Sequence, residues 1–259
     1  MPHTRNITTP CARNDYAGLH HLRRVFEADG DWIDTVYITA SCSEELTPGL
    51  LCRQMLSELG VPQLRFVLIT THSISVHLLT ELYPHPPLYR KIPGSAVLAH
   101  ASQFSQCCQP VHTAAWATTP AAALAASGTI ERAYQEALAV ARKGDRKDVV
   151  HPLRYASALV WADGTIKTAL QDRLVEYGGC VDACCKFILA IEDLSMTTAP
   201  AVLLQVDQYG VLHAPHAQAR SYFHEFGFDD VVVPVHTPQG RMELIRVAQL
   251  APCKTCLLH

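Results

Sequence analysis

The stretch that decides the fold is Tyr155-Ala-Ser-Ala-Leu-Val-Trp-Ala-Asp-Gly-Thr-Ile-Lys-Thr-Ala169, which runs on through Gln171 to Cys185 and is answered by Pro215-His-Ala-Gln-Ala-Arg220. Its first part reads as a hairpin over 155–168: a β-prone apolar run, an Asp163-Gly164 turn and a second strand. Tyr177-Gly-Gly and a Cys-rich segment follow, predicting a helix over 183–194. A strand over 201–206 then leads to a helix opened by Pro215 and running to Phe226, since proline is pre-set for a first helical turn. Upstream, Ile130, Ala133, Tyr134, Ala137 and Leu138 make the apolar stripe of a helix over 130–141, with Glu131, Arg132, Glu136 and Arg142 outside it. A strand over 230–235 and a closing segment over 242–250 complete this part.

The earlier part of the chain echoes the later one. Tyr16, Leu19, Leu22, Val25 and Phe26 fall at helical spacing. A strand over 36–40 follows, then a helix opened by Pro48-Gly49 with Leu51, Met55, Leu56 and Leu59 on its apolar side. A strand over 64–71 and a short helix over 76–82 come next. The same twelve-residue step separates Pro48 from Gly60 and Pro215 from Gly227, and both stretches end Glu-apolar-Gly. An internal duplication explains this. Prolines 84, 86, 87, 93, 110 and 120, set among Ala- and Ser-rich intervals, predict a linker over 85–120. The expected organisation is therefore 1–84, linker 85–120, and 121–259.

Composition bounds the function. The 259 residues are 49% hydrophobic and 17% charged, as suits a chain with a real core, and the net charge of −3 gives no pull toward nucleic acid or anionic membrane. No apolar run is long enough for a membrane span. Ten cysteines and a start with no apolar signal core point to a reducing compartment, the cytoplasm. Arg5, Arg13, Arg23 and Arg24 are also compatible with mitochondrial import.

Both parts resemble the cytidine deaminase family, whose pattern is Asn-x-Glu…Tyr…Cys-Ala-Glu…Pro-Cys-x-x-Cys-Arg-Gln. The second part matches over roughly 125–252 and the first over roughly 5–84. The resemblance implies an α/β fold, a three-layer α/β/α sandwich around a mixed sheet, here tandem duplicated with the first copy lacking its opening hairpin. It implies zinc held by three ligands, which lowers the pKa of a bound water to about 7 for attack on a pyrimidine. On this pattern Gln171 and Arg173 fall at the sugar-binding Asn and Glu, and Tyr177 matches. Asp182 stands at the first ligand, Cys184 at the general acid/base Glu, His216 at the second ligand and Ala219 at the third. A second register puts Cys180 at the ligand and Asp182 at the acid.

In the first copy Cys11 and Cys52 match ligand positions, Arg13 replaces the catalytic Glu, and Gly49 replaces the remaining ligand. Cys42 would complete a trio with Cys11 and Cys52. Cys107, Cys108 and His112 would make a metal trio only if the adjacent cysteines did not point apart, and the terminal Cys253-Lys-Thr-Cys256 has no companion ligand. Two functions follow. One is a catalytically impaired member of the pyrimidine nucleoside salvage family, acting as structural or regulatory partner in a homo-oligomer or in a hetero-oligomer with a homologous deaminase. The other is an active zinc-dependent deaminase of cytidine or deoxycytidine with displaced ligands.

Overall fold

The structure, a computed structural model, describes residues 34–39, 43, 47–61, 63–90, 92–111, 113–144, 148, 151–173, 181–187, 191 and 198–252. The expectations for the helix around Tyr16–Phe26, and for Cys11, Arg13, Cys42, His112, Tyr177, Cys180, Cys253 and Cys256, lie outside the described residues.

The first sheet has the order β1-β2-β3, built from β1 (Thr35–Thr39), β2 (Arg65–Ile69) and β3 (Ile74–Leu78). β1 and β2 run parallel, joined through helix α1 (Leu50–Glu58), and β2 and β3 run antiparallel. The 76–82 stretch, expected as a short helix throughout, divides: Val76, His77 and Leu78 close a strand, and the helix begins only at Leu79. Thr70 Oγ1 accepts the N–H groups of His72 and Ser73, which turns the chain back so that Val76 pairs with Val67. Only the single turn α2 (Leu79–Leu82) is helical, and Glu81 caps it by accepting the Leu78 N–H at 2.8 Å. The α1 stripe is also rotated from expectation. Leu50, Cys52, Arg53 and Leu56 face inward, while Leu51 is exposed.

The described residues of the stretch expected as a linker pack against the rest of the fold. Helix α3 (Val97–Ser105) buries Val97 and Ala101 against Tyr89. A 3₁₀ turn over Thr113–Trp116 drives Trp116 to 1% exposure in the second core, and α4 (Ala122–Ala126) adds Ala125 to it. Gly240 shows how close the approach is. A Cβ there would lie 2.5 Å from the Cys107 carbonyl oxygen, so a side chain would push the stretch off.

The second sheet has the order β5-β4-β6-β7-β8. It follows helix α5 (Thr129–Arg142) and contains β4 (Tyr155–Trp161), β5 (Ile166–Leu170), β6 (Pro200–Asp207), β7 (Val232–His236) and β8 (Met242–Arg246). Asp163-Gly164 makes the β4–β5 turn as expected, with Gly164 at φ +86° where a side chain would be strained. β6 and β7 are parallel, joined through helix α6 (Ala217–Glu225); the other neighbours are antiparallel. Alternation makes three layers. Ala158, Val160, Val202, Leu204 and Val206 pack under α5. Leu159, Trp161, Leu203, Val233 and Val235 pack on the opposite face with Ala219 and Phe223 of α6. Both faces are buried, so these strands read as near-continuous apolar runs.

The duplication is explicit in the strand orders. β1-α1-β2-β3-α2 repeats as β6-α6-β7-β8-α7, where α7 spans Val247–Leu250, and in both closing turns a side chain of the turn, Glu81 or Gln249, accepts the N–H of the residue before the turn. Helices α1 and α6 pack on each other, and two fully buried arginines exchange partners across them. Arg53 donates to its own Pro48 and Leu82 carbonyls and to Pro252 of the other copy. Arg220 donates to its own Pro215 and Leu250 carbonyls and to Pro84 and His85 of the other copy. Gln54 Oε1 also accepts the Ala217 N–H at 2.8 Å, so the first copy caps the α6 start.

Candidate functional site

Of the residues singled out from sequence, Asp182, Cys184 and His216 come together where β4 meets the 181–187 segment and the start of α6. Asp172 and Val181 exchange two backbone hydrogen bonds, which ties the exit of β5 to this segment. Of the helix expected over 183–194, Cys184–Phe187 forms a 3₁₀ turn and Ile191 is helical.

Asp182 sits at the centre. One carboxylate oxygen accepts the Cys184 N–H at 2.7 Å and the other accepts the His216 N–H at 3.1 Å. The carboxylate therefore bridges the two segments that ligands would otherwise join through a metal. His216 stands edge-on to Tyr155, with ring centroids 5.8 Å apart. Burial holds its imidazole below the usual histidine range, against the pull of Asp182. Its Nδ1 is buried with no hydrogen-bond partner among the described residues. Ala219, at the expected third-ligand position, is buried in the α6 core and has no donor atom.

Cys184 is fully buried, its sulfur 3.1 Å from Ser157 Oγ and 3.4 Å from Gln205 Oε1. Burial, and then the Asp182 charge, push its thiol well up. Cys185 is pushed up to about 12 for the same two reasons. A thiol held in its neutral form does not shuttle protons at neutral pH. Arg173 is 2% exposed and donates to Asp148 Oδ1 at 2.6 Å and to the His151 carbonyl at 2.8 Å. Arg154 holds the other Asp148 oxygen at 2.8 Å. A cationic network thus fills the place where the resemblance implies a sugar-binding carboxylate. Gln171 is tied by its backbone N–H to the Tyr155 carbonyl and is half-buried beside it. In the first copy Cys52 is buried in the α1 core.

Sequence reasoning missed the polar floor of this site. Ser157 and Tyr155 of β4 face Gln205 and Asp207 of β6 directly. Asp207 Oδ2 accepts the Tyr89 hydroxyl at 2.6 Å and lies 3.0 Å from His213 Nε2, while Oδ1 accepts the Tyr209 and Val211 N–H groups. Burial pulls this carboxyl up, but the bonds from His213, Tyr89 and Val211 outweigh it and hold it below the usual range. The signal was present in alternation: Ser157, Gln205 and Asp207 are polar residues at one parity of otherwise apolar strands.

Solved cytidine deaminases share this chain path in part. The enzyme from Mycobacterium tuberculosis is 20% identical, with TM-score 0.39, covering 48% of this chain and 94% of that one. The Mycobacterium leprae enzyme is 22% identical, with TM-score 0.37, covering 48% and 97%. The Burkholderia pseudomallei enzyme is 21% identical, with TM-score 0.34, covering 46% and 94%. These likenesses concern chain path alone and give no residue a role. No family model matches the chain, and no curated protein matches it.

A zinc site of three protein ligands does not fit the residues at the centre. Both Asp182 oxygens are already held by backbone N–H groups, and Ala219 offers nothing. Among the described residues no group of three His, Cys, Asp or Glu side chains is placed to hold a metal ion. Among them, too, no helix is long and apolar enough to cross a membrane.

Proposed function

We propose that this chain is a catalytically impaired cytidine-deaminase-like protein that serves as a structural or regulatory partner in a deaminase oligomer. The observation that carries the reading is the Asp182 carboxylate, which bonds the Cys184 and His216 N–H groups where the resemblance implies a zinc ligand. The buried neutral thiol of Cys184 and the Arg173–Asp148 pair support it, since they remove the proton shuttle and the sugar-binding carboxylate together.

Two measurements on the purified full chain test this reading: zinc per chain by mass spectrometry, and loss of cytidine absorbance on incubation. No stoichiometric zinc and no turnover are expected. One tightly bound zinc per chain, with turnover abolished by Cys52→Ser, would establish the displaced-ligand enzyme instead.

A further inference from the structure

The duplication supplies an internal standard for what a complete copy covers. In the second copy, β6 is paired antiparallel along its outer edge by β4. The first copy ends its sheet at β1, and among the described residues no strand lies beyond it. Residues directly opposite in the two ladders share a face, so Tyr37, Val67 and Val76 form one row and Thr39, Ile69 and Ile74 the next. The β7–β8 pairing makes the corresponding rows Pro234–Leu244 and His236–Met242, where Leu244 and Met242 pack into the core under α5. In the first copy Tyr37 is 66% exposed, Ile74 70% and Val76 58%.

Sheet edges are normally protected by charge, proline, a bulge or a covering segment. Thr35-Val-Tyr-Ile-Thr39 has no charge and no proline, and it pairs with β2 without a bulge. It is also a palindrome in chemical class: threonine, β-branched, tyrosine, β-branched, threonine. A two-fold axis through Tyr37 would set Val36 against Ile38, Thr35 against Thr39, and Tyr37 against itself. Each opposed pair then lies on one face, so every side chain keeps its side of the sheet. A slip of one residue would put the α1-covered face of one copy beside the open face of the other.

We propose that β1 pairs antiparallel with β1 of a second copy of this chain, about a two-fold axis at Tyr37. The pairing makes a continuous sheet, β3-β2-β1-β1-β2-β3. It fills the ladder position that β4 fills in the second copy of the fold, and it brings two exposed tyrosines into a cross-strand pair. It does not depend on the loss of catalysis, because an active enzyme would present the same edge.

Sedimentation velocity on the full chain tests it. The wild type is expected to be dimeric at tens of micromolar. Tyr37→Lys sets like charges opposite each other at the axis and is expected to give monomer, and Tyr37→Glu likewise. Mixing the two variants is expected to restore the dimer, because the axis then opposes lysine to glutamate. Circular dichroism should match the wild type for both, since the side chain is exposed. A monomeric wild type overturns the proposal, as does a dimer indifferent to both substitutions. Two monomeric variants that fail to reassociate on mixing overturn the placement of the axis.

Discussion

Replacing Asp182 by alanine tests whether a carboxylate has taken over the joining role at the centre of the second copy. The side chain is 5% exposed and accepts two backbone N–H groups, from Cys184 at 2.7 Å and His216 at 3.1 Å. Alanine leaves both donors unpaired, at about 1–3 kcal/mol each. Removing the buried charge returns part of that through lost desolvation, so the expected destabilisation is about 2–5 kcal/mol. For a chain of this size each kcal/mol moves the melting temperature by about 2–4 °C, giving a fall of roughly 4–20 °C. Asp182→Asn keeps one acceptor but turns an amide donor toward the second N–H, so it should fall between wild type and alanine. The assay is urea unfolding with matched thermal scans, with and without chelator. Wild-type stability is expected to be unchanged by chelator. Alanine within about 0.5 kcal/mol of wild type would refute the reasoning, because surface substitutions alone reach that range. A large drop of the wild type in chelator would refute it from the other side.

Three further outcomes follow from the same geometry. Trp116→Ala should cost about 3–5 kcal/mol, as for any buried large aromatic, and urea unfolding would read it; a surface-sized effect would mean that the Pro-rich stretch is not part of the core. His85, His216 and His236 are held below the usual histidine range by burial, so the unfolded chain binds protons that the folded one does not. Stability is therefore complete above about 6.5 and falls as pH drops from there toward the folded values, and His216→Gln should flatten the slope of unfolding free energy between pH 7 and 5. Among the described cysteines, native alkylation with iodoacetamide at pH 8, followed by peptide mass spectrometry, should label exposed Cys107 first, Cys185 far more slowly, and Cys184 only on unfolding.

How much of this was legible depended on how local the cause was. The Asp163-Gly164 turn and the helix starts at Pro48 and Pro215 are set by neighbouring residues, and sequence placed them. β3 was misread because Val76, Leu79 and Leu82 also suit a helical stripe. Its strand state is decided by pairing with Phe66–Leu68, a tertiary preference that overrides local propensity. Proline content suggested a linker over 85–120, yet Trp116, Tyr89 and Gly240 dock that stretch through contacts far away in sequence. At the site, residue identities were readable but their partners were not. That Arg173 is answered by Asp148, or that Gln54 caps α6, lies in no spacing rule.

The exchanged arginines bear on how such a chain withstands mutation. Two separate molecules docking this way would lose each other on dilution, and their joint stability would depend on concentration. Joined in one chain, the two copies meet at a fixed effective concentration. Arg53 and Arg220 bond main-chain carbonyls on both copies, groups that change little when neighbouring side chains are replaced. These main-chain bonds do not depend on which side chain stands at Cys184, so loss of a proton shuttle there leaves them in place. Chemistry could drift away from this fold without loosening the grip of one half on the other, and the halves should unfold in a single transition.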